Sequence, residues 1–273
     1  MAGLKEFQGK TALVTGAGDG IGAMLAQKLA NDGLRVCVQD IRRDAAEAVA
    51  ASIGRDAFAI AGDVSDQDSL AGAVAEFEAK ASSLNLLWLN AGVGVGAPVL
   101  TGKANAIEWG FGVNVLGVIW SMQAFWPLVE KADGPKHVGF TASSASMVEP
   151  EGDFPLYALT KHGTFAVAEA LSGELQSKGV ETTILCPGLL NTNIWDGARA
   201  RPDRFGGVRH MDPSVSAYWR EAQTPDVMWP HIEATLNEGG GYLICATDPS
   251  TLERYDHRQA KIRAGFRALY SSD

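Results

Sequence analysis

Cysteine is scarce and cannot pair locally: Cys37, Cys186 and Cys245 are the whole complement of 273 residues, odd in number and without a Cys-x-x-Cys. That excludes a disulfide scaffold and a thiolate zinc ribbon, and fits the reduced thiols of a cytosol. The histidines His137, His162, His210, His231 and His257 show no ligand spacing, so no metal is expected. Positive charge is also short, with 23 Lys and Arg against 32 Asp and Glu, a net charge of -9 and a pI near 5.1. A basic face for nucleic acid is therefore excluded as the main purpose. Met1 to Lys10 lacks the apolar core of a secretion signal. The longest apolar stretch, Gly117 to Val129, is interrupted by Ser121, Gln123 and Pro127 and is too short to cross a bilayer. A cytoplasmic protein without membrane contact is the expectation.

What the chain does have is rhythm. With 46% apolar residues it can bury a sizeable core. β-rich runs at Thr11–Thr15, Arg35–Gln39, Ala57–Ala61, Leu84–Leu89, His137–Thr141, Glu181–Cys186 and Tyr242–Cys245 alternate with amphipathic stretches. Those stretches, at Ile21–Asp32, Asp44–Ile53, Gln67–Ala81, Asn105–Glu130, Leu156–Lys178 and Pro225–Asn237, predict helices, several stopped by a glycine. Strands alternating with helices make an α/β fold, a doubly wound, seven-stranded parallel sheet with helices on both faces. No linker or repeat interrupts it, so residues 1–273 read as one domain. Leu189 to Thr224 lacks a period, is rich in Arg, Asp and Gly, and follows a strand, which marks it as a substrate lid (189–224).

Two motifs carry chemistry. Thr15-Gly16-Ala17-Gly18-Asp19-Gly20-Ile21-Gly22 follows a strand and opens a helix, the context in which a glycine turn holds a phosphate at a positive helix end. Asp40 ends the second strand, about where an acid would bond a ribose 2′-hydroxyl and repel a 2′-phosphate, so NAD is preferred to NADP. Arg42 and Arg43 stand next to it as solvated first-turn residues of the following helix. Tyr157 and Lys161, four apart, share a helix face, so an ammonium can lower the pKa of a phenol and make it an acid-base group.

With these motifs the chain resembles the short-chain dehydrogenase/reductase family, from about Lys10 to Thr192, and is expected to share its Rossmann-type fold. Beyond the glycine fingerprint, Asp63 and Val64 match the adenine contact, Asn90-Ala91-Gly92 the motif after the fourth strand, and Asn114 the helix asparagine. Pro187, Gly188 and Thr192 match the stretch that touches the nicotinamide carboxamide. The family's catalytic serine lies thirteen residues before the tyrosine, which points to Ser144, leaving Ser143 and Ser146 as structural or substrate-lining. The resemblance implies that Tyr157 exchanges a proton with the substrate oxygen. Lys161 would hold the nicotinamide ribose and lower the phenol pKa, Ser144 would bond the substrate oxygen, and Asn114 would hold a water linking Lys161 to solvent. Gly16, Gly18, Asp19, Gly20, Ile21, Asp40, Asp63, Val64, Asn90, Ala91, Gly92, Pro187, Gly188 and Thr192 would hold the cofactor with Tyr157 and Lys161.

The substrate is read from what flanks these residues. Ser144, Ser146, Leu189 and Trp195 are expected to line its pocket. Further candidates are Met147, Val148, Glu149, Val93 to Val95, Phe154, Leu190, Ile194, Tyr218 and Trp219. An apolar, aromatic lining suits a bulky hydrophobic or aryl secondary alcohol or ketone. Arg199, Arg201, Arg204 and Arg209 read as a solvated face before they read as an anion clamp. The tail, residues 250–273, extends past the family's usual end as an amphipathic helix from Ser250 to Leu269, open to packing on the lid, on a partner subunit or, most simply, over its own sheet. Aromatics at Trp120, Phe125, Trp126 and Phe165 suggest a homo-oligomer, tetramer before dimer. The alternatives are a dehydratase or epimerase on the same fold, a redox-silent NAD sensor, and an oligomer scaffold.

Overall fold

The computed structural model describes residues 3–150, 154–210 and 220–267. Seven strands form one parallel sheet: β1 (Thr11–Thr15), β2 (Arg35–Asp40), β3 (Phe58–Ala61), β4 (Leu86–Leu89), β5 (His137–Thr141), β6 (Glu181–Pro187) and β7 (Gly240–Cys245). Their order is β3-β2-β1-β4-β5-β6-β7. The direction of winding reverses between β1 and β4, and ligands of such sheets sit beyond the strand ends at that point. The Rossmann-type expectation holds.

Why these runs are strands is visible in their burial. Along β1, Ala12 and Val14 face one layer and Leu13 the other, all fully buried, as period-2 geometry requires when both faces are covered. Ala12, Val14, Val36, Val38 and Trp88 pack under α1 (Gly20–Asn31) and α2 (Arg43–Ile53). Leu13, Cys37, Leu87, Phe77, Phe125 and Phe140 form the opposite core with α3 (Gln67–Glu78) and the long helices that follow. Each such large side chain contributes about 1.5–3 kcal/mol by burial.

The longest helical stretch departs from the simple expectation. It comprises α4 (Ala104–Phe111), a π turn at Gly112–Leu116, and α5 (Gly117–Glu130). As one helix of 27 residues with mean hydropathy 1.3 it is long and apolar enough to span a bilayer, unlike the interrupted stretch read from sequence. More than half of its most apolar window, 56%, is instead buried inside the protein. The widened turn places Asn114 fully inside, facing α6 (Pro155–Gln176), which carries Tyr157 and Lys161.

Of the placements open to the C-terminal helix, the simplest, over its own sheet, is not the one seen. After α7 (Trp229–Asn237) and β7, α8 (Thr251–Gly265) buries only Thr251 among its residues. Leu252, Ile262 and Phe266 are exposed, so this helix does not cover the sheet. Its charge pattern explains why, since its polar residues outnumber an apolar stripe too thin to dock. It is tied instead to the loop after β5 by Lys261 on Glu149 at 2.7 Å. Leu269 lies outside the described residues.

Candidate active site

A cleft of about 330 Å³ opens at the carboxyl ends of β1 and β4 to β6. Its floor is the glycine turn, held by backbone and by small side chains. Thr15 Oγ1 accepts the N–H of Asn90 at 2.9 Å and of Ala91 at 3.0 Å, while Asn90 Nδ2 donates back to the Thr15 carbonyl at 3.1 Å. Gly16 has φ +62, and a Cβ there would meet Ala91 Cα at 2.7 Å. A Cβ on Gly22 would lie 2.4 Å from the Gly16 carbonyl oxygen. Asn90, Ala91 and Gly92 therefore line the cleft and also act as the wall against which the turn rests.

Three carboxylates line this floor, and each meets an arginine. Asp40 accepts the Gly18 N–H at 3.0 Å and lies 3.5 Å from Arg42 Nε. Asp19 caps α1 by accepting the Gly20 N–H at 2.7 Å, and its other oxygen meets Arg199 Nη2 at 2.8 Å. Asp63 accepts from Ser65 Oγ at 2.6 Å and pairs with Arg204 at 2.7 Å. Arg43 turns away to Glu76. Arg199 and Arg204 belong to the segment after β6: Arg199 departs from the expected solvated face, whereas Arg204 keeps an exposed position while pairing with Asp63. Arg201 departs from it too, being 5% exposed under the Trp109 ring at 4.9 Å. Arg204 and Arg209 hold solvent-exposed positions. The contacts of Arg199 and Arg204 are tertiary ones, because Asp19 and Asp63 lie more than a hundred residues from them.

The reactive side of the cleft is assembled from α6 and the turn after β5. Lys161 is 2% exposed and donates to the Thr141 carbonyl at 3.1 Å. Thr141 is fixed in turn by Trp88, whose indole N–H reaches its Oγ1 at 3.0 Å. Burial pulls the Lys161 pKa down to about 8, since a desolvated ammonium is disfavoured. Lys161 Nζ lies 5.9 Å from the centre of the Tyr157 ring. Burial pushes the phenol of Tyr157 up to about 12, opposed by a hydrogen bond with the Ser143 side chain.

The serine whose side chain hydrogen-bonds the Tyr157 phenol is Ser143, the neighbour of the expected Ser144. Ser143 has an extended backbone and caps a 3-10 turn at Ser144–Ser146, accepting the Ala145 N–H at 3.1 Å. With three serines in four positions, the register of this turn decides which one faces the phenol. Ser144 still lines the cleft. Ser146 does not: it is 3% exposed and donates to the Lys161 carbonyl at 2.8 Å, bracing α6.

Asn114 is more heavily engaged than a lone water ligand would be. Its Oδ1 accepts the Val93 N–H at 2.8 Å, and its Nδ2 donates to the Val93 carbonyl at 3.0 Å and Thr160 Oγ1 at 2.9 Å. The Asn114 backbone carbonyl accepts from Thr164 Oγ1 at 2.7 Å. Asn114 thus ties the turn after β4 to the helix bearing Tyr157.

The segment after β6 closes over these groups. Pro187, Gly188, Leu189, Leu190 and Thr192 line the cleft, and the Thr192 side chain abuts Gly20. Trp195 sits 5.0 Å from the Tyr157 ring and 4.3 Å from Phe154, ring centre to ring centre. Gly94 makes room for it, because a Cβ there would lie 2.5 Å from the indole. Met147, Val148 and Glu149 fall outside the lining. Tyr218 and Trp219, in the expected lid, lie outside the described residues.

The donor set fits a dinucleotide. Gly16 and Gly20 line the cleft beside the N-terminus of a twelve-residue helix, and Gly22 lets that helix pack directly on the Gly16 carbonyl. Known proteins agree with the architecture. Residues 10–203 match the family model described as short chain dehydrogenase. A sorbitol dehydrogenase of Cereibacter sphaeroides is 32% identical over 197 residues, which is 72% of this chain and 76% of that protein. A 1-deoxy-11-beta-hydroxypentalenate dehydrogenase of Streptomyces avermitilis is 31% identical over 221 residues, 78% of this chain and 81% of that one. Among solved structures, a short chain dehydrogenase/reductase from Burkholderia phymatum in complex with NAD superposes with a TM-score of 0.84 at 25% identity, over 98% of this chain and 99% of that one.

Proposed function

The chain belongs to the short-chain dehydrogenases, oxidoreductases of alcohols and ketones, and from that premise we propose that it moves a hydride between NAD(H) and a bulky, hydrophobic or aromatic secondary alcohol or its ketone. The observation that carries this reading is the contact set of Tyr157, with Ser143 on its hydroxyl, Lys161 near its ring and Trp195 against its face. Relatives named for sorbitol and for a hydroxypentalenate both take alcohols.

Tyr157 Oη exchanges the proton with the substrate oxygen, as base in oxidation and acid in reduction. The Ser143 hydroxyl bonds the same oxygen and steadies its developing charge; this is the role that spacing gave to Ser144. Bound cofactor supplies the hydride chemistry and, when oxidised, a positive ring. A buried phenol at about 12 needs cations to ionise near neutrality. The Lys161 ammonium is the one this chain provides, and the Asn114 carbonyl offers a site for a water that passes its proton outward. The residues that would hold the dinucleotide are Gly16, Gly18, Asp19, Gly20, Ile21, Asp63, Val64, Asn90 to Gly92, Pro187, Gly188 and Thr192.

Asp40 selects NAD, because its carboxylate on the Gly18 amide repels a 2′-phosphate, although Arg42 shares that carboxylate. Residues 189–224 act as the lid, and Trp195, Phe154 and Leu189 form an apolar wall against the substrate. Exposed Tyr242 and Ile244 on β7 suit a homo-oligomer, tetramer before dimer, in the cytoplasm. The test is Tyr157→Phe, which should bind NADH as the parent does and lose at least about 10³-fold in turnover. A panel of aryl, alicyclic and steroidal secondary alcohols, followed at the NADH absorbance band, supplies the substrate. Unchanged turnover in Tyr157→Phe would remove the central claim.

A further inference from the structure

Asp19 stands at an awkward place for a phosphate site. It caps α1, whose positive end is worth about half an elementary charge, yet its carboxylate puts a full negative charge where a pyrophosphate would bring two more. Arg199 resolves the conflict from the lid. Its Nη2 lies 2.8 Å from Asp19 Oδ2, and Asn193 Nδ2 reaches the same oxygen at 2.6 Å. Nη1 donates to the carbonyls of Asn193 and Asp196, both at 3.1 Å, so the guanidinium is aimed by the backbone of its own turn. Of its five donors three are engaged in these bonds, which leaves two on a side chain that lines the cleft.

We propose that Arg199 is a cofactor-binding residue carried by the lid, which offsets Asp19 at the N-terminus of α1 and supplies the cation for the dinucleotide's pyrophosphate. This rests on the dinucleotide reading above. It makes lid position and cofactor affinity one equilibrium, because the same guanidinium holds the lid turn and meets the phosphates.

The experiment titrates NADH, ADP-ribose and adenosine by calorimetry against the full chain and three variants, with a thermal melt of each. Arg199→Met should weaken NADH and ADP-ribose about 10- to 100-fold, the range of a charge-assisted bond, and leave adenosine unchanged. Arg199→Lys should recover most of the loss. Asp19→Asn keeps the helix cap but removes the charge, so it should tighten both pyrophosphate ligands several-fold. A merely structural latch predicts the opposite pattern. Arg199→Met and Asp19→Asn break the same ion pair and would then shift all ligands alike, which overturns the proposal, as does an unchanged affinity in Arg199→Met. Parent protein that binds neither NADH nor NADPH overturns the cofactor reading and this proposal with it.

Discussion

The two sides of the cleft are built by different means. The nucleotide side is backbone against backbone: Gly16 on Ala91, Gly22 on the Gly16 carbonyl, and Asn90 stitched to Thr15. The substrate side is side chain against side chain. Trp195 rests on Tyr157 and Phe154, and Lys161 hangs from Thr141. Its segment after β6 is tied down by Arg199 and Arg204. Backbone contacts at van der Waals limits tolerate no added atom, whereas tilted ring contacts and exposed ion pairs yield to substitution. The first side is therefore a fixed platform, and the second can vary its substrate without losing the fold.

The sharpest way to break this comparison is to add one methyl group to the platform. Gly22→Ala places a Cβ 2.4 Å from a backbone oxygen and 2.6 Å from Asn90 Nδ2. Neither atom can step aside, so the expected loss is about 3 kcal/mol or more, read as a melting temperature lower by roughly 10 °C and as lost NADH binding. A normal melt would show that the platform is softer than its geometry.

A smaller effect separates the two serines. Ser143→Ala should lower kcat by about 10²-fold or more at unchanged NADH affinity, while Ser144→Ala should stay within about threefold. If steady-state kinetics show the reverse, the thirteen-residue spacing has chosen better than the hydrogen bond to Tyr157.

The smallest effect concerns what the reactive side costs the fold. Lys161 has its pKa lowered by burial to about 8 from an ordinary 10.5. Between those values the unfolded chain binds more protons than the folded one, so stability rises with pH across that window, and below pH 8 the full cost is present. Lys161→Met should therefore stabilise the protein at pH 7, by on the order of 2 kcal/mol after the lost bond to Thr141 is subtracted, and abolish turnover. Denaturant melts at pH 7 and pH 10 should show that gain shrinking at the higher pH; a gain independent of pH would assign it to packing alone.

Legibility in the sequence followed the same division. Strand and helix positions came through within a few residues, because burial on both faces of a parallel sheet leaves continuous apolar runs that need no partner to be recognised. The glycine turn and the Tyr157–Lys161 spacing were readable for the same reason, being contacts within one or two turns of chain. The contact of Ser143 with Tyr157 was not legible because adjacent serines are equivalent until a 3-10 turn orients them. Nor was the bond of Ser146 to the Lys161 carbonyl, which belongs to another element. Arg199, Arg201 and Arg204 sit in a polar, aperiodic stretch, where charge by itself suggests solvent.

By itself the sequence determined the doubly wound sheet, the glycine turn at its switch point and the placing of a phenol near an ammonium on one helix, since each follows from local periodicity or from spacing along one element. Tertiary structure alone decided which serine meets Tyr157, that Asn114 is buried in a π turn bracing Val93, and that the arginines after β6 close on Asp19 and Asp63. The physical reason is range. Hydrogen bonds and ion pairs between residues far apart in the chain depend on where the sheet delivers their elements, and no local pattern encodes that distance.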